Sequence, residues 1–292
     1  MTNKDNQIVI GFVGTGVMGK GIITNLLKAK YTVEIYTRTK SKADTLIEIG
    51  AKWNASVAEL ASKSDIIISI VGYPNDVEQV YFADMGILNH VREGTVIIDM
   101  TTSKPNLAEA IYERAKEKNV YAMDAPVSGG DIGAQEGKLS IMVGGDLATF
   151  EKVKPIFEVM GQNIQFQGEA GAGQYTKMCN QIALATNMIG VCEAMRYAEK
   201  AGLQQVQVLK SIQTGAAGSW ALTNLAPKMN NNDFNPGFYI KHFIKDMEIA
   251  IDSAEEMGLD TPGLSLAKSL YDKLEANGDG DLGTQALFKL FG

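Results

Sequence analysis

The chain has 292 residues, 45% hydrophobic and 21% charged, enough for about two domain cores and too apolar for a disordered or collagen-like chain. Its 27 basic and 34 acidic side chains leave a net charge of -7 without a long basic run, which argues against nucleic-acid binding. The polar start Met1–Gln7 holds no apolar signal region, no apolar run is long enough to span a membrane, and Cys179 and Cys192 sit thirteen residues apart on one predicted helix, so a cytoplasmic protein without disulfides is expected.

In chain order, the runs Ile8–Val13, Thr32–Tyr36, Ile66–Ile70, Val96–Asp99, Tyr121–Asp124 and Leu139–Val143 read as strands. They are rich in Ile and Val and do not alternate with polar residues, as in parallel strands covered by helices on both faces. Helical patterns at 20–29, 57–63 and 105–118 lie between them, so the first half reads as a doubly wound α/β sheet built from right-handed βαβ units. Beyond Gly168 the patterns are helical, at 174–201, 206–213, 220–229, 241–257, 262–276 and 284–290. Residues 1–168 are therefore expected to form a dinucleotide-binding Rossmann domain, and 169–292 an all-helical domain for substrate and oligomerisation.

The thirty glycines, about a tenth of the chain, concentrate in places that suggest chemistry. Gly14-Thr15-Gly16-Val17-Met18-Gly19 follows the first strand and opens a helix. In that setting Gly14 permits a tight turn, Gly16 a close approach of pyrophosphate, and Gly19 close packing of helix on strand. At the end of the second strand, Thr37-Arg38-Thr39-Lys40 offers two cations and no acid for a ribose 2′-hydroxyl. Arg38 can pair with a 2′-phosphate and Thr37 or Thr39 can donate to it, so NADP(H) is expected to be preferred, with NAD(H) as the alternative. Ser128-Gly129-Gly130, after the strand ending at Asp124, can cradle a carboxylate with a hydroxyl and open backbone N–H groups.

Lys177 is the only Lys or Arg between Lys154 and Arg196, in a helix without alternating charges. Burial there favours the neutral amine and suits acid/base work near neutral pH. Asn180 and Gln181 follow at i+3 and i+4, on the same face. His90 and His242 have no partner at metal-ligand spacing, so no metal site is expected.

These motifs, with Gly171-Ala172-Gly173-Gln174-Tyr175-Thr176-Lys177 and Lys245-Asp246, make the whole chain resemble the β-hydroxyacid dehydrogenase family, which includes 3-hydroxyisobutyrate dehydrogenase and tartronate semialdehyde reductase. The resemblance implies a Rossmann domain joined by a long helix to a helical domain. It implies that Lys177 is the general acid/base, that Ser128, Gly129 and Gly130 bind the substrate carboxylate, and that Lys245 lies near the nicotinamide. Further cofactor contacts are implied at Val71-Gly72-Tyr73 and Thr101, and pocket-lining aromatics at Trp220 and Phe238, either of which could instead pack between helices. Many relatives carry Asn where Gln181 stands, which leaves open which amide meets substrate. The implied reaction interconverts a small β-hydroxy acid and its semialdehyde in a homodimer or homotetramer. The competing readings are an imine reductase, a 6-phosphogluconate-type dehydrogenase, and a non-enzymatic NADP-binding sensor or reader.

Overall fold

In the computed structural model, which describes residues 8–292, the apolar runs of the first half line up as one nine-stranded sheet. Met1–Gln7 lies outside the described residues. The strands are β1 Val9–Val13, β2 Thr32–Tyr36, β3 Lys52–Trp53, β4 Ile66–Ser69, β5 Val96–Asp99, β6 Tyr121–Asp124, β7 Val127–Ser128, β8 Leu139–Gly144 and β9 Gly161–Gly168. Their order is β3-β2-β1-β4-β5-β6-β8-β7, with β9 paired to β8. The first six are parallel and follow the Rossmann order, so the chain reverses direction across the sheet between β1 and β4.

The alternation of side chains explains why these strands carry no polar face. Ile10, Phe12, Ile66, Ile68, Val96 and Ile98 enter one core, and Val13, Ile67, Ile97 and Ala122 enter the other. The helices that cover the faces begin where local chemistry starts them. Ser56 Oγ accepts the Glu59 N–H at the head of Val57–Lys63, and prolines open Pro74–Phe82 and Pro105–Lys116.

The parallel reading of the sheet fails at its far edge. β8 runs antiparallel to β6 and β7. Only the ten residues 129–138 separate β7 from β8, short of the dozen or so that a parallel crossover needs. Three strands were not expected from the sequence. β3 and β7 are two residues long and have no periodicity to detect. β9 is an edge strand, GQNIQFQG, whose Gln-rich exposed face masks the inward Ile164 and Phe166.

The described chain divides into two compact units, residues 8–177 and 178–292, and the division falls within the 29-residue helix Ala172–Lys200. The second unit contains helices only among its described elements. Its core is built on Met188, Met195, Phe243, Met247 and Tyr271, with Phe243 and Tyr271 edge to face at 5.1 Å. The helix expected over 220–229 is two short ones, Trp220–Asn224 and Ala226–Asn230. Pro227 sits at the start of the second, where its missing N–H and its ring break a continuous helix. The last segment, Thr284–Phe291, winds as a 3₁₀ helix. No helix among the described residues is long and apolar enough to cross a membrane.

Candidate active site

The turn after β1 is held by a backbone geometry that only glycine adopts easily. Gly14 has φ +104°, donates its N–H to the Tyr36 carbonyl at 3.0 Å, and leaves no room for a Cβ against the Ile70 carbonyl. Gly19 packs in turn on the Gly14 carbonyl. Gly16 is different. It is the N-cap of the helix Val17–Lys28, carries no capping side chain, and has nothing within 4 Å of where a Cβ would stand. That leaves an open cradle in front of a helix N-terminus, where N–H groups and the dipole favour a phosphate. The residues present therefore fit the pyrophosphate of a dinucleotide. Val17 is exposed beside the cradle, while Met18 packs on the sheet core.

The cations after β2 take separate places. The Lys40 ammonium lies 4.9 Å over the Trp53 ring, and the Arg38 guanidinium meets Asp76 Oδ1 at 3.2 Å. Thr37 is half-buried and Thr39 exposed. The loops after β4 and β5 are tied together, because the Val71 N–H donates to Thr101 Oγ1 at 3.0 Å. Gly72 and Tyr73 continue that loop into the helix Pro74–Phe82.

Beneath these loops lies a buried carboxylate that the sequence reading did not single out. Asp99 Oδ1 accepts from Ser69 Oγ at 2.8 Å and from the Thr101 N–H at 3.2 Å, and Ser69 Oγ also meets the Tyr81 hydroxyl at 2.8 Å. Burial raises the Asp99 pKa to about 6 against the pull of these hydrogen bonds, and nearby Asp124 adds to the rise. The folded state thus holds a proton on Asp99 that the unfolded chain gives up near pH 4. The stability from that proton is full below about pH 4 and is lost as pH rises through about 6, a change of at most about 3 kcal/mol. Urea titrations of wild type and Asp99→Asn from pH 4 to pH 7 test this. The expected result is a shallower decline in the variant, and identical slopes would refute it.

Asp124, at the end of β6, organises the start of the lysine-bearing helix. One carboxylate oxygen accepts the Gly171 N–H and the other the Gln174 N–H, both at 2.8 Å. Burial pushes its pKa up while those N–H groups pull it down. Gln174 fixes the same turn from the other side, donating Nε2 to the Thr101 carbonyl at 2.7 Å and accepting the Ser103 N–H at 3.0 Å. One turn further on, Lys177 is buried and its Nζ donates to the Val127 carbonyl at 2.8 Å. Val127 immediately precedes Ser128, so the lysine meets the strand that carries the proposed carboxylate cradle. Gly129 (φ +130°) and Gly130 (φ +64°) take two successive positive φ angles, which side chains disfavour and which turn the chain into the helix Gly130–Glu136.

The second unit holds the remaining predicted residues. Gln181 is engaged at both ends of its amide: its Oε1 accepts from Asn180 Nδ2 at 2.7 Å and its Nε2 donates to Asp246 Oδ2 at 2.5 Å. Asp246 Oδ1 pairs with Lys245 Nζ at 3.0 Å, and Asp246 is itself buried. Burial and Lys245 push the pKa of the neighbouring His242 down, with Asp246 opposing them. Asn180 is half-buried where Gln181 is buried. Phe238 packs into the helical core, 5.4 Å from the Phe243 ring, whereas Trp220 is 64% exposed at the head of its short helix and does not pack between helices. Among the described residues there is no group of three His, Cys, Asp or Glu side chains that could hold a metal.

Asp76, Asp99, Gln174 and Asp246 were not given roles from the sequence. For Asp99 the signal was there, a carboxylate closing an otherwise apolar strand, Val96–Asp99. Gln174 and Asp246 lie within the quoted motifs and Asp76 sits at the N3 position of a helix start, but the partners that give them a role, Asp124, Gln181 and Arg38, are distant in sequence.

Comparison with known proteins places these features in context. Residues 9–168 match the NAD-binding domain of 6-phosphogluconate dehydrogenase, and residues 171–291 match the NAD-binding region of NADP-dependent 3-hydroxyisobutyrate dehydrogenase. An uncharacterized oxidoreductase of Bacillus subtilis is 60% identical over 97% of this chain and 98% of its own. The 2-hydroxy-3-oxopropionate reductase of Escherichia coli is 38% identical over 95% of each chain. The solved structure of Mycobacterium tuberculosis 3-hydroxyisobutyrate dehydrogenase with L-serine is 30% identical and superposes with a TM-score of 0.90 over 98% of this chain and 99% of that one.

Proposed function

Since the chain belongs to the β-hydroxyacid dehydrogenase family, an NAD(P)-binding oxidoreductase family, we propose that it interconverts a small β-hydroxy acid and its semialdehyde, with NADP(H) preferred over NAD(H). The observation that carries this reading is the buried Lys177 amine, held on the Val127 carbonyl next to Ser128-Gly129-Gly130. In oxidation Lys177 takes the hydroxyl proton as a neutral amine, and in reduction its ammonium returns a proton to the developing alkoxide. Ser128 and the N–H groups of Gly129 and Gly130 bind the carboxylate. Asn180 turns its amide to the substrate, while Gln181 holds Asn180 and Asp246 in place through the two ends of its own amide. The bound nicotinamide supplies the hydride chemistry. Gly14, Gly16, Val17, Met18 and Gly19 hold its pyrophosphate side, with Val71, Gly72, Tyr73, Thr101 and Lys245 as further contacts. Thr37, Arg38 and Thr39 receive the 2′-phosphate. In this reading residues 1–168 bind the dinucleotide and 169–292 serve substrate binding and assembly into a homodimer or homotetramer in the cytoplasm.

Two relatives support the substrate class. The Escherichia coli protein is named for a three-carbon hydroxy-oxo acid, and the mycobacterial one was determined with L-serine, a carboxylate bearing a β-hydroxyl. The test is a panel of tartronate semialdehyde, 3-hydroxyisobutyrate, succinic semialdehyde and glyoxylate, each with NADPH or NADPH's oxidised form and with the NAD pair. Turnover of a three-carbon or branched four-carbon acid, with the higher kcat/KM for the NADP pair, is expected. NADPH binding without turnover on any of them would support the sensor reading instead.

A further inference from the structure

The carboxylate that the sequence lacks at the end of β2 is supplied from another element. A dinucleotide fold selective for NAD places an acid there to accept the ribose 2′-hydroxyl, and Thr37 and Thr39 occupy that stretch here. Asp76, on the first turn of Pro74–Phe82, faces it across the sheet order β2-β1-β4. Its two oxygens divide the work. Oδ2 accepts the Tyr73 N–H at 3.1 Å and so fixes the carboxylate on the helix start. Oδ1 is left toward Arg38, at 3.2 Å. The Arg38 side chain is 76% exposed and that of Asp76 only 20%, so the acid is the anchored partner and the arginine the solvent-exposed one. Lys40 does not compete, being placed over Trp53.

We infer that Asp76 is a specificity-determining residue that holds down the discrimination between NADPH and NADH. A 2′-phosphate has to draw Arg38 away from a fixed carboxylate and then sit near that negative charge. A 2′-hydroxyl meets Oδ1 as an acceptor and needs no such exchange. The inference rests on the NADP(H) reading above, in which Arg38 is the phosphate partner.

The test is the dissociation constant of NADPH and of NADH, read by nicotinamide fluorescence without substrate, for wild type, Asp76→Asn, Arg38→Ala and the double variant. Asn retains an oxygen for the Tyr73 N–H, and an unchanged melting midpoint confirms that the helix start is intact. In Asp76→Asn the ratio Kd(NADH)/Kd(NADPH) should rise about two- to fivefold, the scale of one exposed ion pair. Most of the change should come from tighter NADPH. On the Arg38→Ala background the same substitution should tighten NADPH clearly less, because only the repulsion between carboxylate and phosphate is then relieved. Equal changes in both constants, or the same NADPH gain without Arg38, would overturn the role of Asp76. If Arg38→Ala alone leaves the NADPH constant unchanged, the NADP(H) reading fails instead.

Discussion

Replacing Lys177 with alanine should lower turnover by about two to four orders of magnitude, the range typical of losing a positioned general acid/base, while the dissociation constant for NADPH stays within about twofold. The split follows from where the lysine sits. Its Nζ is on the Val127 carbonyl, at the end of the sheet near β7, and the open glycine cradle at Gly16 belongs to the turn after β1. Removing a buried amine also leaves the Val127 carbonyl short of a donor, which costs about 1–3 kcal/mol. Lys177→Met, which fills most of the volume but also gives Val127 no donor, separates the loss of the proton carrier from the loss of packing. It should be as inactive as the alanine variant and melt closer to wild type. Turnover near wild type in either variant would remove Lys177 from the mechanism.

Asp124→Ala should be the most destabilising of the substitutions considered, by about 2–4 kcal/mol at pH 7, because two buried N–H groups lose a charged acceptor together. Those donors, Gly171 and Gln174, begin the helix that carries Lys177, so kcat should also fall in whatever fraction remains folded. Space adds to the penalty. Gly144 and Gly173 each pack directly on the Asp124 carboxylate, so truncation leaves a void that neither glycine has a side chain to fill. Asp124→Asn should recover part of the stability, since its one amide oxygen can serve one of the two donors. Chemical denaturation monitored by circular dichroism checks both variants. A loss below about 1 kcal/mol for the alanine variant would mean that water or a backbone shift satisfies the two N–H groups.

Much of this architecture is legible in the sequence. The β-branched runs at 66–70 and 96–99 gave buried parallel strands, because only a strand covered on both faces can dispense with polar alternation. The spacing of Gly14, Gly16 and Gly19 gave the dinucleotide loop, because each glycine answers a local steric demand. Lys177 stood out because a lone charge in an apolar helix has to be buried with a partner. What was not legible was of two kinds. Short or edge elements, such as β7 and β9, have too little buried surface to leave a pattern. Pairings over long sequence separations leave none either: Gln181 with Asp246 is 65 residues apart, and Asp124 with Gln174 is 50.

By itself, then, the sequence determined the strand-helix alternation, the glycine turn and the residue types available for proton transfer and phosphate contact, since these depend on neighbours within one or two turns of chain. Tertiary structure alone decided the antiparallel edge of the sheet, the carboxylate that anchors the head of the Lys177 helix, the commitment of Gln181 to protein partners and the acid beside Arg38. The physical reason is common to all four. A hydrogen bond or ion pair fixes two groups in space whatever their separation in sequence, and only the closed fold brings its partners within 3 Å or so of each other.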